Sequence, residues 1–115
     1  MKQVFVLFAG ISFLFSGCDK TDTLSTAPVC IQNEIETLKS EPVRNPAAKV
    51  WQYQYNGKTV YYIPAYCCDI PSVLLDEDCN VICQPNGGIG GGGDGKCNDF
   101  FDKRTNEVLI WADPR

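Results

Sequence analysis

Val50-Trp-Gln-Tyr-Gln-Tyr-Asn-Gly-Lys-Thr-Val-Tyr-Tyr-Ile63 decides how this chain folds. Two β-prone runs flank Asn56-Gly57, the dipeptide favoured in a two-residue type I′ hairpin turn because both of its central positions need positive φ. The turn sets the register: Tyr55 faces Lys58, Tyr53 faces Val60 and Trp51 faces Tyr62. Side-chain alternation then gathers Trp51, Tyr53, Val60 and Tyr62 on one face and Gln52, Gln54, Thr59 and Tyr61 on the other. The aromatic face is expected to be the floor of the core, with a helix packed on it. The Gln52, Gln54, Thr59 and Tyr61 face is the expected binding face.

On the N-terminal side, Ile31, Ile35 and Leu38 recur at i, i+4 and i+7 among Gln, Asn, Glu and Lys, which predicts a short amphipathic helix stopped by Pro42. On the C-terminal side, Val73-Leu-Leu75 and Val81-Ile-Cys83 flank a polar turn at residues 76–80 and predict a second hairpin. Glu107-Val-Leu-Ile-Trp-Ala112 predicts a last strand, after a glycine-rich stretch. The fold class is α+β: one N-terminal helix against an antiparallel sheet of hairpins, with a long glycine loop.

The first seventeen residues have a different grammar. Lys2 precedes the apolar run Val4 to Phe15, which ends in Ser16-Gly17 and is shorter than the roughly 20 residues a spanning helix needs. Residues 1–17 therefore read as a signal peptide, 18–29 as a polar tether and 30–113 as one small domain. Leu14-Phe-Ser-Gly-Cys18 resembles the lipobox of bacterial lipoproteins. That resemblance implies that Cys18 receives a lipid, since a multiply acylated terminus anchors firmly where one chain exchanges. The expected address is the bacterial cell envelope, with the domain lipid-anchored to a membrane, periplasmic or surface-exposed.

With Cys18 set aside, six cysteines remain: Cys30, Cys67, Cys68, Cys79, Cys83 and Cys97. In an exported domain this small an even set predicts disulfides, because the core alone is limited. Adjacent cysteines rarely bridge each other, so Cys67 and Cys68 are expected to find partners elsewhere, with Cys79 as the sixth member. A thiolate metal site fits the doublet and the C-x-x-x-C spacing poorly.

Composition narrows function by exclusion. The chain has no histidine, which removes the commonest general base and the usual activator of a nucleophilic cysteine. Its formal charge is −4, and removing residues 1–17 takes away Lys2 and no acid, which leaves −5. Such a surface is a poor match for nucleic acid, whose binding needs clustered Lys and Arg. Gly90 to Cys97 follows the spacing of a phosphate-binding loop, but Cys97 replaces the hydroxyl residue that would hold magnesium. Asp76, Glu77, Asp78 and Asp94 lack the alternating acidic loop of a calcium site.

Taken together, Tyr55-Asn-Gly-Lys-Thr-Val-Tyr-Tyr62, Tyr66-Cys-Cys-Asp69, Asp78-Cys-Asn-Val-Ile-Cys83, Gly87-Gly-Ile-Gly90 and Gly93-Asp-Gly-Lys-Cys97 resemble an uncharacterised lipoprotein domain family of Bacteroidota. The resemblance covers roughly residues 30–112. It implies a small exported domain without an assigned activity, and a glycine at the turn position that Cys79 occupies. The expectation is thus a protein that is not an enzyme, without catalytic residues, cofactor or metal. It contributes to envelope structure or binds a protein or glycan. The alternative is a disulfide-rich protease inhibitor that presents residues 84–96 or 64–72.

Overall fold

The computed structural model describes Gly10 and residues 26–115; Cys18 and the signal segment lie outside the described residues. Helix α1 spans Val29–Ser40. Pro28 precedes it, and the Pro28 carbonyl accepts the Ile31 and Gln32 N–H groups at 3.0 Å each. At the other end the Glu41 N–H bonds the Leu38 carbonyl and Pro42 stops the helix. Ile31 and Ile35 are fully buried and Leu38 nearly so, as their spacing predicts.

Five strands follow: β1 (Lys49–Tyr55), β2 (Lys58–Ile63), β3 (Val73–Leu75), β4 (Val81–Cys83) and β5 (Thr105–Ala112), with a one-turn helix α2 (Phe100–Lys103) just before β5. They form one sheet in the order β4-β3-β2-β1-β5, with every neighbouring pair antiparallel. The fold is α+β. The β1–β2 register is the one the turn dictates, Trp51 opposite Tyr62 and Tyr53 opposite Val60. Asn56 and Gly57 sit at φ 52° and 74°, as a type I′ turn requires.

Strand β4 lies at one edge of the sheet and β5 at the other. The chain between Cys83 and Thr105 therefore has to cross a sheet face. It crosses the aromatic one. Phe100 of α2 is fully buried there, its ring 5.6, 5.4 and 5.4 Å from those of Tyr53, Tyr55 and Tyr62. The contacts with Tyr53 and Tyr55 are edge-to-face, and such contacts add to the area they bury.

Helix α1 covers the opposite face, and this corrects the expectation that it would sit on Trp51. Its stripe packs with Val50, Tyr61, Ile63, Leu75 and Ile110. Gln52, Gln54 and Thr59 make this face look polar in the hairpin alone. The strand ends and the neighbouring strands β3 and β5 turn it into an aliphatic floor that suits Ile31, Ile35 and Leu38.

Two disulfides bind these layers. Cys30 in the first turn of α1 joins Cys79 in the β3–β4 turn, with Cα atoms 6.0 Å apart, and Cys83 at the end of β4 joins Cys97, at 6.2 Å. Cys79 has φ 62°, the conformation for which glycine is the natural occupant. The expected third bridge does not follow: Cys67 and Cys68 are exposed and bonded to no other cysteine. They sit at a corner beyond β2, beside the isolated bridge between Tyr66 and Ile70.

Candidate binding loop and groove

The sheet positions a structured loop over residues 84–96. Its root is Asn86. The Asn86 N–H donates to Ser72 Oγ at 3.0 Å, and the Asn86 carbonyl accepts from the Ser72 N–H and hydroxyl at 2.9 and 3.0 Å. Tyr62 adds a bond to the Asn86 side chain, and Ser72 itself is fully buried. A satisfied buried polar network of this kind fixes one geometry.

Beyond the root the loop folds on itself. The Gly87 N–H bonds the Gly91 carbonyl at 3.0 Å, the Gly93 N–H bonds the Gly87 carbonyl at 3.1 Å, and the Asp94 N–H bonds the Gln84 carbonyl at 2.9 Å. Asp94 closes the base from its side chain: Oδ2 accepts the Gln84 N–H and Oδ1 the Lys96 N–H, both at 3.0 Å. Those backbone donors, that of Lys96 foremost, hold the Asp94 carboxyl below its ordinary pKa. Gly93 has φ 69°, and a Cβ there would collide with the Gln84 carbonyl oxygen. The phosphate-loop spacing thus serves a different purpose, since Cys97 is engaged with Cys83 and Asp94 faces its own backbone. At the tip, Ile89 is 93% exposed, held between glycines in a closed turn.

The expected binding face is divided. Tyr61 is buried under α1, and Gln52 is half-buried and accepts the Tyr61 hydroxyl at 3.3 Å, so neither is presented for binding. This overturns the expectation for that end of the face. Gln54 and Thr59, joined at 2.8 Å, lie nearer the hairpin turn and line an open groove of about 370 Å³ with Lys58, Asp76 and Asp78. Asp76 is committed to its turn: Oδ1 accepts the Asp78 and Asn80 N–H groups at 2.9 Å each, and these bonds, that from Asn80 first, lower its pKa. No group of three or more Cys, Asp or Glu among the described residues is placed to hold a metal ion.

On the aromatic face, Tyr53 donates its hydroxyl hydrogen to Glu107 at 2.6 Å, while the Arg104 guanidinium lies 4.9 Å from its ring centre and 4.8 Å from that of Phe101. Tyr55 donates to Asp99, the residue that precedes α2. Burial, then the Glu107 bond, pushes the Tyr53 hydroxyl up to about 12. These groups hold α2 and the start of β5 to the sheet.

A family model described as a domain of unknown function, DUF6970, matches residues 36–113, from the middle of α1 to the end of the sheet. The chain belongs to the DUF6970 family. No curated protein and no solved structure matches the chain. The matched span of this DUF6970 domain contains the whole sheet, loop 84–96 and the Cys83–Cys97 bridge. Cys30 lies before it, so the Cys30–Cys79 bridge ties the first turn of α1 to the DUF6970 domain.

The sequence offered residues 84–96 and 64–72 as presented segments but did not single out Ile89 as a tip or Asn86 and Ser72 as a root. The available signal was Pro85-Asn86 before a glycine run with Asp94 inside it and a cysteine at its end.

Proposed function

We propose that this DUF6970 domain is a non-enzymatic binding module of the bacterial envelope, tethered to a membrane through a lipid on Cys18. Loop 84–96 presents Ile89 to a protein or glycan partner. The observation that carries the reading is the construction of that loop. A segment with seven glycines between 87 and 95 would ordinarily lose much conformational entropy on binding. Here a disulfide, the Asn86 root and the Asp94 clamp have met that cost before a partner arrives.

The lipid reading is supported by Leu14-Phe-Ser-Gly-Cys18 and by the polar tether that follows it. A charge of −5 offers anionic lipid no attraction, so the acyl chains carry the attachment. The protease-inhibitor reading is the weaker one. The Gly87–Gly91 bond turns the backbone back around Ile89, which suits a compact knob better than an extended segment laid along a cleft.

The test places a photo-crosslinking amino acid at position 89, and in a second strain at Glu36 on the exposed side of α1, in the full chain expressed in its native envelope. The reading expects a discrete adduct from position 89 and none from position 36. No adduct from 89, or the same adducts from both positions, overturns it. Protease in the adduct selects the inhibitor alternative.

A further inference from the structure

Past β2 the chain makes a tight exposed reversal. Tyr66 and Ile70 pair across an isolated antiparallel bridge, and Cys68 and Asp69, between them, both have positive φ, 71° and 63°. This turns Cys68 back over Cys67 and brings the two Sγ atoms to 2.8 Å. The corner is anchored on its inner side: the Cys67 N–H donates to the Asn45 carbonyl at 2.9 Å, and the Arg44 guanidinium lies 3.9 Å from the centre of the Tyr66 ring. Both thiols are exposed. A disulfide bond measures about 2.05 Å, so about 0.8 Å separates the pair from covalent contact.

We infer that Cys67 and Cys68 form a reversible redox site that closes into a vicinal disulfide. Neighbouring Cα atoms across a trans peptide are held about 3.8 Å apart, below the roughly 4.4–6.8 Å of a relaxed disulfide. The closed ring is therefore strained and more readily reduced than the Cys30–Cys79 and Cys83–Cys97 bridges, whose Cα separations of 6.0 and 6.2 Å lie inside that range. The oxidant is another disulfide, small or carried by an exchange protein. One cysteine, as thiolate, attacks a sulfur of R–S–S–R, and R–S⁻ leaves and takes up the released proton. The second cysteine loses its proton, attacks the mixed disulfide and expels the other R–S⁻, which is protonated in turn. The pair has lost two electrons and two protons, and R–S–S–R has become two R–SH. Contact with Cys68 pushes the Cys67 thiol up, so exchange quickens as pH rises. Closure acts on the corner that carries Tyr66 and Ile70, which lies beside Arg44 on one side and against Gly87 of loop 84–96 on the other.

The test equilibrates the full chain in mixtures of oxidised and reduced dithiothreitol, traps free thiols by alkylation and maps the peptides. The expected result is a peptide carrying both Cys67 and Cys68 that is lighter by two hydrogens and unlabelled in oxidising mixtures. It becomes doubly labelled at a ratio of reduced to oxidised dithiothreitol at least about tenfold below that which opens the other two bridges. Cys67→Ser and Cys68→Ser each remove this transition and keep both other bridges, which also reports that the variants fold. Two labelled thiols at Cys67 and Cys68 even in the most oxidising mixture overturn the proposal. So does opening at the same ratio as those bridges, or a bond from Cys67 or Cys68 to a second chain.

Discussion

Tyr62 donates its hydroxyl hydrogen to Oδ1 of Asn86 at 2.9 Å, joining the C-terminal end of β2 to the root of the glycine loop. The bond explains how a glycine-rich segment becomes part of the folded body: the same strand that builds the hairpin also carries the anchor for the crossing chain. Phe100, fourteen residues further on, seals the face that the crossing covers.

Removing Phe100 should therefore cost more than removing any single residue of the loop. Phe100→Ala deletes a fully buried ring surrounded by Tyr53, Tyr55 and Tyr62, and the expected loss is about 3–5 kcal/mol by denaturant titration. A loss below 1 kcal/mol would mean that the aromatic face is not the second core.

The two bridges should differ in worth. Cys30–Cys79 spans 49 residues and Cys83–Cys97 spans 14, so loop closure assigns them about 4 and about 3 kcal/mol. Paired serine replacements, Cys30→Ser with Cys79→Ser and Cys83→Ser with Cys97→Ser, are expected to rank in that order in urea midpoint. The second pair should also loosen loop 84–96, because that bridge closes the loop's base.

Much of the sheet was legible before any coordinates. Asn56-Gly57 dictates the hairpin and its register, and the 31, 35, 38 spacing dictates the buried stripe of α1. The face that the helix chose was not legible, because it depends on Leu75 and Ile110 arriving beside Val50 and Ile63 from strands distant in sequence. The binding face failed for the same reason: Tyr61 alternates like a surface residue, yet it packs in the core with α1, and its hydroxyl engages Gln52. Disulfide pairing is likewise a three-dimensional property. Cys79 meets Cys30 only after the β3–β4 turn is laid beside the first turn of α1.

Alkaline titration should expose the buried tyrosines. In the folded chain the Tyr53 hydroxyl titrates near 12 instead of the ordinary 10, and Tyr61 and Tyr62 are shifted up, chiefly by burial. The folded state thus keeps protons that the unfolded state releases, so the stability these groups contribute is full below pH 10 and is lost as pH rises towards 12. Phenolate absorbance and far-ultraviolet circular dichroism are expected to change together in that window. Complete phenolate formation near pH 10 with the fold intact would contradict the burial.

Two glycines separate conformational strain from steric collision. At Gly57 an added Cβ meets nothing within 4 Å, so Gly57→Ala should cost only the positive-φ penalty of about 1 kcal/mol. At Gly93 the same methyl group meets the Gln84 carbonyl as well as an unfavourable φ. Gly93→Ala should open residues 84–96 to limited proteolysis while the sheet remains folded, and Gly57→Ala should leave the loop resistant.

The central claim is that loop 84–96 is a preorganised element, and amide hydrogen exchange of the full chain measures it directly. The Gly87, Gly93 and Asp94 N–H groups are bonded to Gly91, Gly87 and Gln84 carbonyls, and the Asn86 N–H to Ser72. Protection of these four amides comparable to that of β1 and β2, lost on Cys83→Ser with Cys97→Ser, is the expected result. Exchange of all four at the rate of an unstructured chain, with both bridges intact, would contradict the account.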